Sequence, residues 1–217
     1  MQIQARKAAF DTAASPLHWI PGHPVASHMV SLLNIVLPAA ERWFVATYSE
    51  ALPLVKDAHL AEAMRGFIGQ EAVHADTHER ALHDFMERQG VDPQPILDQV
   101  EYIVGKVLAP STSADPKRRL NQLCERLWLI AALEHYTALL GDFALNSSWD
   151  DFGADPTMVD LYRWHGSEEV EHRCADEVVE VDPDPAVFDA LTAARDLTLE
   201  GMRGLDVDAE QAMPVRT

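Results

Sequence analysis

From residue 26 onward, apolar residues recur at spacings of three and four with few alternating runs, the period of α-helices rather than strands. The pattern predicts an all-α fold. A first helical stretch runs from about Val25 to Leu52, where Pro38 is expected to break or kink the chain and restart a helix carrying AAERWFVATYSEAL. A second runs from about Val55 to Gln89 and stops at Gly90, a residue suited to a helix C-terminus. Four Asp-Pro pairs follow: Asp92-Pro93, Asp115-Pro116, Asp155-Pro156 and Asp184-Pro185. Each reads as a helix start, because Asp caps exposed amides and Pro presets the first-turn φ. They divide the remainder into helices near 93–108, 116–146, 156–180 and 185–204. The long helices near 39–52, 55–89, 116–146 and 156–180 are enough for an antiparallel four-helix bundle with additional short helices.

Residues 1–25 do not share this period. Pro16, Pro21, Gly22 and Pro24 surround Trp19, so an irregular N-terminal arm packed on the body is expected. The bundle domain is expected over 26–204 and a flexible tail over 205–217. A chain of 217 residues with 47% hydrophobic residues supports one domain with a real core. Its net charge of −18 would repel a phosphate backbone or an anionic membrane, which argues against nucleic acid as a partner. Cys124 and Cys174 are too few for a disulfide scaffold or a thiolate cluster. The longest apolar segment, MVSLLNIVLPAA, is too short for a stable membrane span, and no signal-peptide pattern opens the chain. A cytoplasmic protein is expected.

The chemistry sits in a few polar residues that interrupt this pattern. In WHGSEEVEHRC, His165, Glu169 and His172 follow spacings of four and three and so share one helix face, whereas Glu168 and Glu171 point elsewhere and need no special role. In GQEAVHADTHER, Glu71, His74 and His78 form a second one-faced set. His78 lies two turns from Glu71 and is expected to hydrogen-bond a ligand or cap the pocket rather than ligate. Glu134 interrupts the apolar helix LWLIAALEHYTALL, where an unpaired carboxylate would cost several kcal/mol. Glu41 stands similarly among small and aromatic residues, with a favourable charge near a helix N-terminus as its plainer explanation.

In chain order the set is Glu41, Glu71-x-x-His74, Glu134 and Glu169-x-x-His172, one element per long helix. This is the ligand pattern of di-iron and di-manganese carboxylate centres in ferritin-like bundles. Four carboxylates balance two divalent cations, and an oxygen-rich shell with imidazoles suits iron or manganese, with zinc as a third option. No Gly-rich phosphate loop or nucleophile elbow is present in the sequence. Trp43, Tyr48, Tyr136 and Trp164 are expected chiefly as packing residues.

The segments WIPGHPVASH, LPAAERWF, FIGQEAVHADTH, LEHYTALL and YRWHGSEEVEH, within residues 19–178, resemble a bacterial family described as predicted metal-dependent hydrolases, of ferritin-like helical character. His165, four residues before the last Glu-x-x-His, is similar to the extra histidine in the seven-ligand di-iron site of arylamine N-oxygenases. Together these resemblances imply the ligands Glu41, Glu71, His74, Glu134, His165, Glu169 and His172. The stretch after His172 departs from the family pattern.

The expected function is oxidation of a small organic substrate by O2 at two iron ions, served by an electron donor protein. The alternatives are metal-dependent hydrolysis through a bridging water, ferroxidase or storage chemistry, and a helical bundle that binds metal without catalysis or not at all. The apolar segment 17–37 is a candidate cover for a homodimer interface or a pocket mouth.

Overall fold

The computed structural model describes residues 3–172. The helix expected near 185–204, the last turns of the one near 156–180 and the tail lie outside the described residues. Six α-helices form: α1 Pro24–Ser31, α2 Leu33–Ala51, α3 Ala58–Ala81, α4 Gln94–Tyr102, α5 Pro116–Asn146 and α6 Pro156–Glu171. No strand occurs among the described residues. The fold is an all-α helical bundle.

Short polar side chains start the long helices. The carboxylates of Asp57, Asp115 and Asp155 accept hydrogen bonds from Leu60 N, Lys117 N and Met158 N at 2.7, 3.0 and 3.1 Å, each satisfying an amide that the first turn leaves without a partner. α3 continues through a π-helical turn, Leu82–Met86, and a 3-10 turn, Glu87–Gln89, to Gly90. Gly90 adopts φ 85°, the left-handed conformation that ends helices. Pro38 corrects the sequence reading: α2 runs through it without a restart, and the α-helix is interrupted instead at Leu32, between α1 and α2. A proline costs the helix one hydrogen bond, here to the Asn34 carbonyl. Packing outweighs that loss, since Asn34, Ile35, Pro38 and Glu41 are all buried.

Counted together, Pro24–Leu54 is a helical run long and apolar enough to cross a membrane by length and composition. The run extends beyond MVSLLNIVLPAA on both sides. Its buried positions include Asn34 and Glu41, whose polar groups meet His78 of α3 and His165 of α6.

Pairings across the bundle fix the helix directions. Tyr48 meets Phe67 with ring centroids 4.3 Å apart, and Arg42 reaches Glu79 at 2.7 Å, so α2 and α3 are antiparallel. On the other side Gly141 touches Gly166, and Glu134 meets His172, so α5 and α6 are antiparallel too. The arm before α1 is irregular apart from one 3-10 turn, Thr12–Ala14. It plants Trp19 in the core, stacked on Tyr162 at 5.5 Å, with its indole N–H donated to the Ser27 carbonyl and the Ser31 hydroxyl.

Two separate apolar clusters result. One gathers Trp19, Ile35, Phe85, Trp149, Met158 and Tyr162. The other gathers Trp43, Tyr48, Met64, Phe67, Leu127 and Ile130. Along α2, α3 and α6 the residues that separate or adjoin these clusters are Glu41, Glu71, His74, His165 and Glu169. The bundle is therefore stratified as apolar, polar, apolar.

The α5–α6 crossing is set by its glycine pair: an added Cβ on Gly141 would lie 3.0 Å from Gly166 Cα and overlap its carbonyl oxygen. Gly141→Ala should therefore destabilise the protein by about 1–3 kcal/mol, despite alanine's better helix propensity, because the overpacked crossing outweighs it. Gly105→Ala, which meets nothing within 4 Å, is the control. Urea denaturation checks both, and a Gly141→Ala protein as stable as the control would refute a contact-limited crossing.

Candidate metal centre

The polar layer brings together all seven residues picked out by sequence. Glu41 comes from α2, Glu71 and His74 from α3, Glu134 from α5, and His165 and Glu169 from α6, with His172 at its C-terminal cap. All seven are buried, none above 6% exposed. Four sets of side chains place one ligand atom each within 4.8 Å of one another. Glu41, Glu71 and His74 form one, and Glu71, Glu134, Glu169 and His172 another; His74, His165 and Glu169 form a third. Glu41, Glu71, His74, His165 and Glu169 each belong to two of the four sets, and of these Glu71 and Glu169 are the ones that join the set of Glu134 and His172 to the others, the position expected of carboxylates that bridge two ions.

Each histidine turns one nitrogen inward and the other outward. The inward atoms are His74 Nδ1, 3.4 Å from Glu169 and 3.7 Å from Glu71; His165 Nε2, 2.8 Å from Glu169 and 3.8 Å from Glu41; and His172 Nδ1, 2.6 Å from Glu134 and 3.3 Å from Glu71. The outward atoms are held by a second ring of partners, which decides where the protons sit. His172 Nε2 lies 2.9 Å from Gln70 Oε1, an atom that only accepts, so Nε2 carries the proton. His74 Nε2 likewise donates to Glu168 Oε2 at 2.9 Å.

For His165 the assignment passes through His78. Asn34 Nδ2 donates to the Tyr162 hydroxyl at 3.0 Å, leaving Asn34 Oδ1 to accept from His78 Nδ1–H at 2.8 Å. In neutral His78, Nε2 must then accept, and it does so from His165 Nδ1–H. In the neutral form of each imidazole the inward nitrogen is therefore the lone pair, the form in which imidazole binds a metal. His78 also falls within ligand distance of Glu41 and His165. Its own bonds make it the residue that orients His165, the role expected from its distance along α3.

Among the described residues, both oxygens of Glu41, both of Glu71, Glu169 Oε2 and His74 Nδ1 are buried without a hydrogen-bond partner. Buried polar atoms are rarely left so, and these six, of eleven such atoms, converge on one small volume. These are hard oxygen donors and neutral imidazoles, with no thiolate, so the donor set fits two divalent cations of the iron, manganese or zinc kind.

Electrostatics agree. Burial holds the Glu41 and Glu71 carboxyls well above the usual carboxylate range, and burial with the charge of Glu169 pushes Glu134 up to about 7. Burial acts to raise Glu169 as well, but His165 and His172 outweigh it and hold Glu169 well below that range. His74 and His172 rise against the effect of their burial, through Glu168 and Glu169 for the first and Glu169 and Glu134 for the second. Burial and neighbouring histidines lower His78 and His165. Without cations, the cluster substitutes protons for part of the missing positive charge.

Glu168 and Glu171, read as needing no role, are corrected by the structure, and Gln70, Asn34 and Arg6 escaped the sequence reading altogether. Glu168 is not idle: it is fully buried, bonded to His74 on one oxygen and to Arg6 on the other at 3.2 Å. Buried positions 165, 166, 168, 169 and 172 span a wide arc of α6, so two faces of this helix are occupied. A single-face reading of the motif misses the second face. Run of three acids around one Glu-x-x-His was the only signal. Tyr136, expected as packing, is 56% exposed, whereas Trp43 and Tyr48 are core and Trp164 packs edge-on against His74 at 5.1 Å.

The proton count gives a sign for pH. Groups whose folded pKa is raised contribute stability that is lost as pH climbs through that raised value. Glu134 acts up to about 7, and Glu41, Glu71, His74 and His172 act in the same direction. His78 and His165 oppose them only below the ordinary histidine value of 6.5. Chelator-treated protein should lose stability as pH rises above 6.5, and divalent metal should reverse that loss; thermal melts across this range check it, and a metal-free protein that grows more stable contradicts it.

No curated protein and no solved structure matches the chain. A family model described as predicted metal-dependent hydrolase matches residues 4–178, a span that includes all six helices of the described residues and the seven residues of the polar layer. The chain belongs to this predicted metal-dependent hydrolase family.

Proposed function

We propose that the polar layer holds two iron ions, with manganese or zinc as alternative occupants, and that the protein oxidises a small organic substrate with O2. The observation that carries this reading is that Glu71 and Glu169 join the Glu134–His172 ligand set to the sets around His74, with ligands drawn from four helices of the bundle. Glu41, Glu71 and His74 would hold one ion, and Glu134, Glu169 and His172 the other, with His165 beside Glu169. When bound, an iron pair supplies reducing equivalents to O2, and any divalent pair supplies positive charge that polarises a substrate oxygen.

The remaining roles belong to the chain. Gln70, Glu168 and His78 hold a proton on the outer nitrogen of each histidine, so the inward nitrogen is the one that serves a metal when the ring is neutral. The apolar clusters on either side keep water from the layer. Inserting one oxygen atom takes two electrons from the substrate. The second oxygen atom leaves as water, using two protons and two electrons from an electron donor protein. The acidic surface and lack of a thiolate cluster suit a cytoplasmic setting.

Hydrolysis is the second reading, favoured by the family's description. The two separate on O2. Ferrous-loaded protein mixed with O2 should consume it with a transient absorbance, and zinc-loaded protein should be inert toward arylamines and esters alike. Ester or amide cleavage by zinc- or manganese-loaded protein without O2, and no O2 uptake by the iron form, would replace oxidation with hydrolysis. Glu134→Ala should lose at least one ion, while His165→Ala should keep the fold and change the spectrum of the loaded centre. Retention of both ions by Glu134→Ala removes that residue from the ligand set.

A further inference from the structure

The N-terminal arm reaches the same layer from outside. Arg6 donates to Glu168 Oε1 at 3.2 Å through one guanidinium nitrogen and to Glu171 through the other. Glu168 in turn holds His74. Two residues earlier, the Gln4 carbonyl accepts from Gln70 Nε2 at 3.1 Å, and the same amide nitrogen donates to Glu171 at 3.0 Å. Gln70 in turn holds His172. The arm therefore ends two chains of hydrogen bonds, Arg6–Glu168–His74 and Gln4–Gln70–His172, which Glu171 ties together.

The path of the arm is cut into α3. An added Cβ on Gly66 would overlap the Ile3 carbonyl, and one on Gly69 would come within 3.3 Å of Ala5 Cβ. A side chain at 66 would lift the strap off the helix. Glu168 is fully buried, and Arg6 is the cation bonded to it. A buried carboxylate deprived of its cation partner is costly to keep in place, so losing Arg6 releases the group that orients His74.

We propose that residues 3–6 are a positioning strap for the metal centre, with Arg6 and the Gln4 carbonyl holding the outer partners of His74 and His172 and thereby setting how tightly ions are retained. This rests on the proposed metal-binding reading. Partners that fix ligand histidines typically contribute 10–100-fold to metal affinity.

The test uses the full chain loaded with cobalt(II), whose visible spectrum reports coordination, and follows cobalt loss to excess chelator. Arg6→Ala should release cobalt about tenfold faster than wild type and shift its spectrum, with Arg6→Lys recovering part of the difference. Gly66→Ala should reproduce the effect although alanine favours α3, which separates strap displacement from loss of the bundle. Melting of each metal-free variant verifies that the helices persist. Release rates and spectra in both Arg6→Ala and Gly66→Ala that match the wild type would overturn the strap while leaving the centre intact. A wild-type chain that binds no cobalt would overturn the metal reading and the strap with it.

Discussion

Four carboxylates packed into one dry layer are the constraint on which the rest of this structure depends. Ionised together and unaccompanied, Glu41, Glu71, Glu134 and Glu169 would cost far more than the few kcal/mol by which a domain is stable. The chain resolves this with compensating positive charge. Protons serve in the metal-free protein, which is why burial drives several of these groups upward while Glu169, flanked by two histidines, stays ionised. Divalent cations serve better, since two of them match four carboxylates and occupy the atoms that otherwise lack partners.

Much of the architecture follows from keeping that layer dry and fixed. Apolar clusters close it from both sides. The Gly141–Gly166 crossing lets α5 and α6 approach until Glu134 meets His172. Outside the ligands, Gln70, Glu168 and the Tyr162–Asn34–His78 chain fix the outer nitrogen as the proton-bearing one in each neutral imidazole. A ligand set without this outer ring would hold the same residue types but leave each imidazole free to turn its proton toward the metal.

The helices were legible because their signals are local. Asp115-Pro116 and Asp155-Pro156 start α5 and α6 at the residues expected, and Gly90 ends the α3 extension through its positive φ. The pairing of Glu71 with His74 and of Glu169 with His172 was legible for a related reason, as Glu-x-x-His spacing puts both groups on one helical face, whereas Glu41 and Glu134 stood out only as acids in apolar helices. Pro38 misled because a local rule was outweighed by burial on both sides of it. Glu168 and Arg6 were illegible in a different way. Their partners lie 94 and 162 residues away, and no spacing within a helix encodes a contact between elements so distant.

The central claim is that the polar layer is a two-ion site bridged by Glu71 and Glu169. Anaerobic titration of the chelator-treated chain with ferrous ion, read as bound iron per chain after dialysis, tests it most directly. The account predicts saturation at two ions per chain, falling when either bridging glutamate is replaced by alanine. Saturation at one ion, absence of binding, or two ions retained without Glu71 or Glu169 would contradict it.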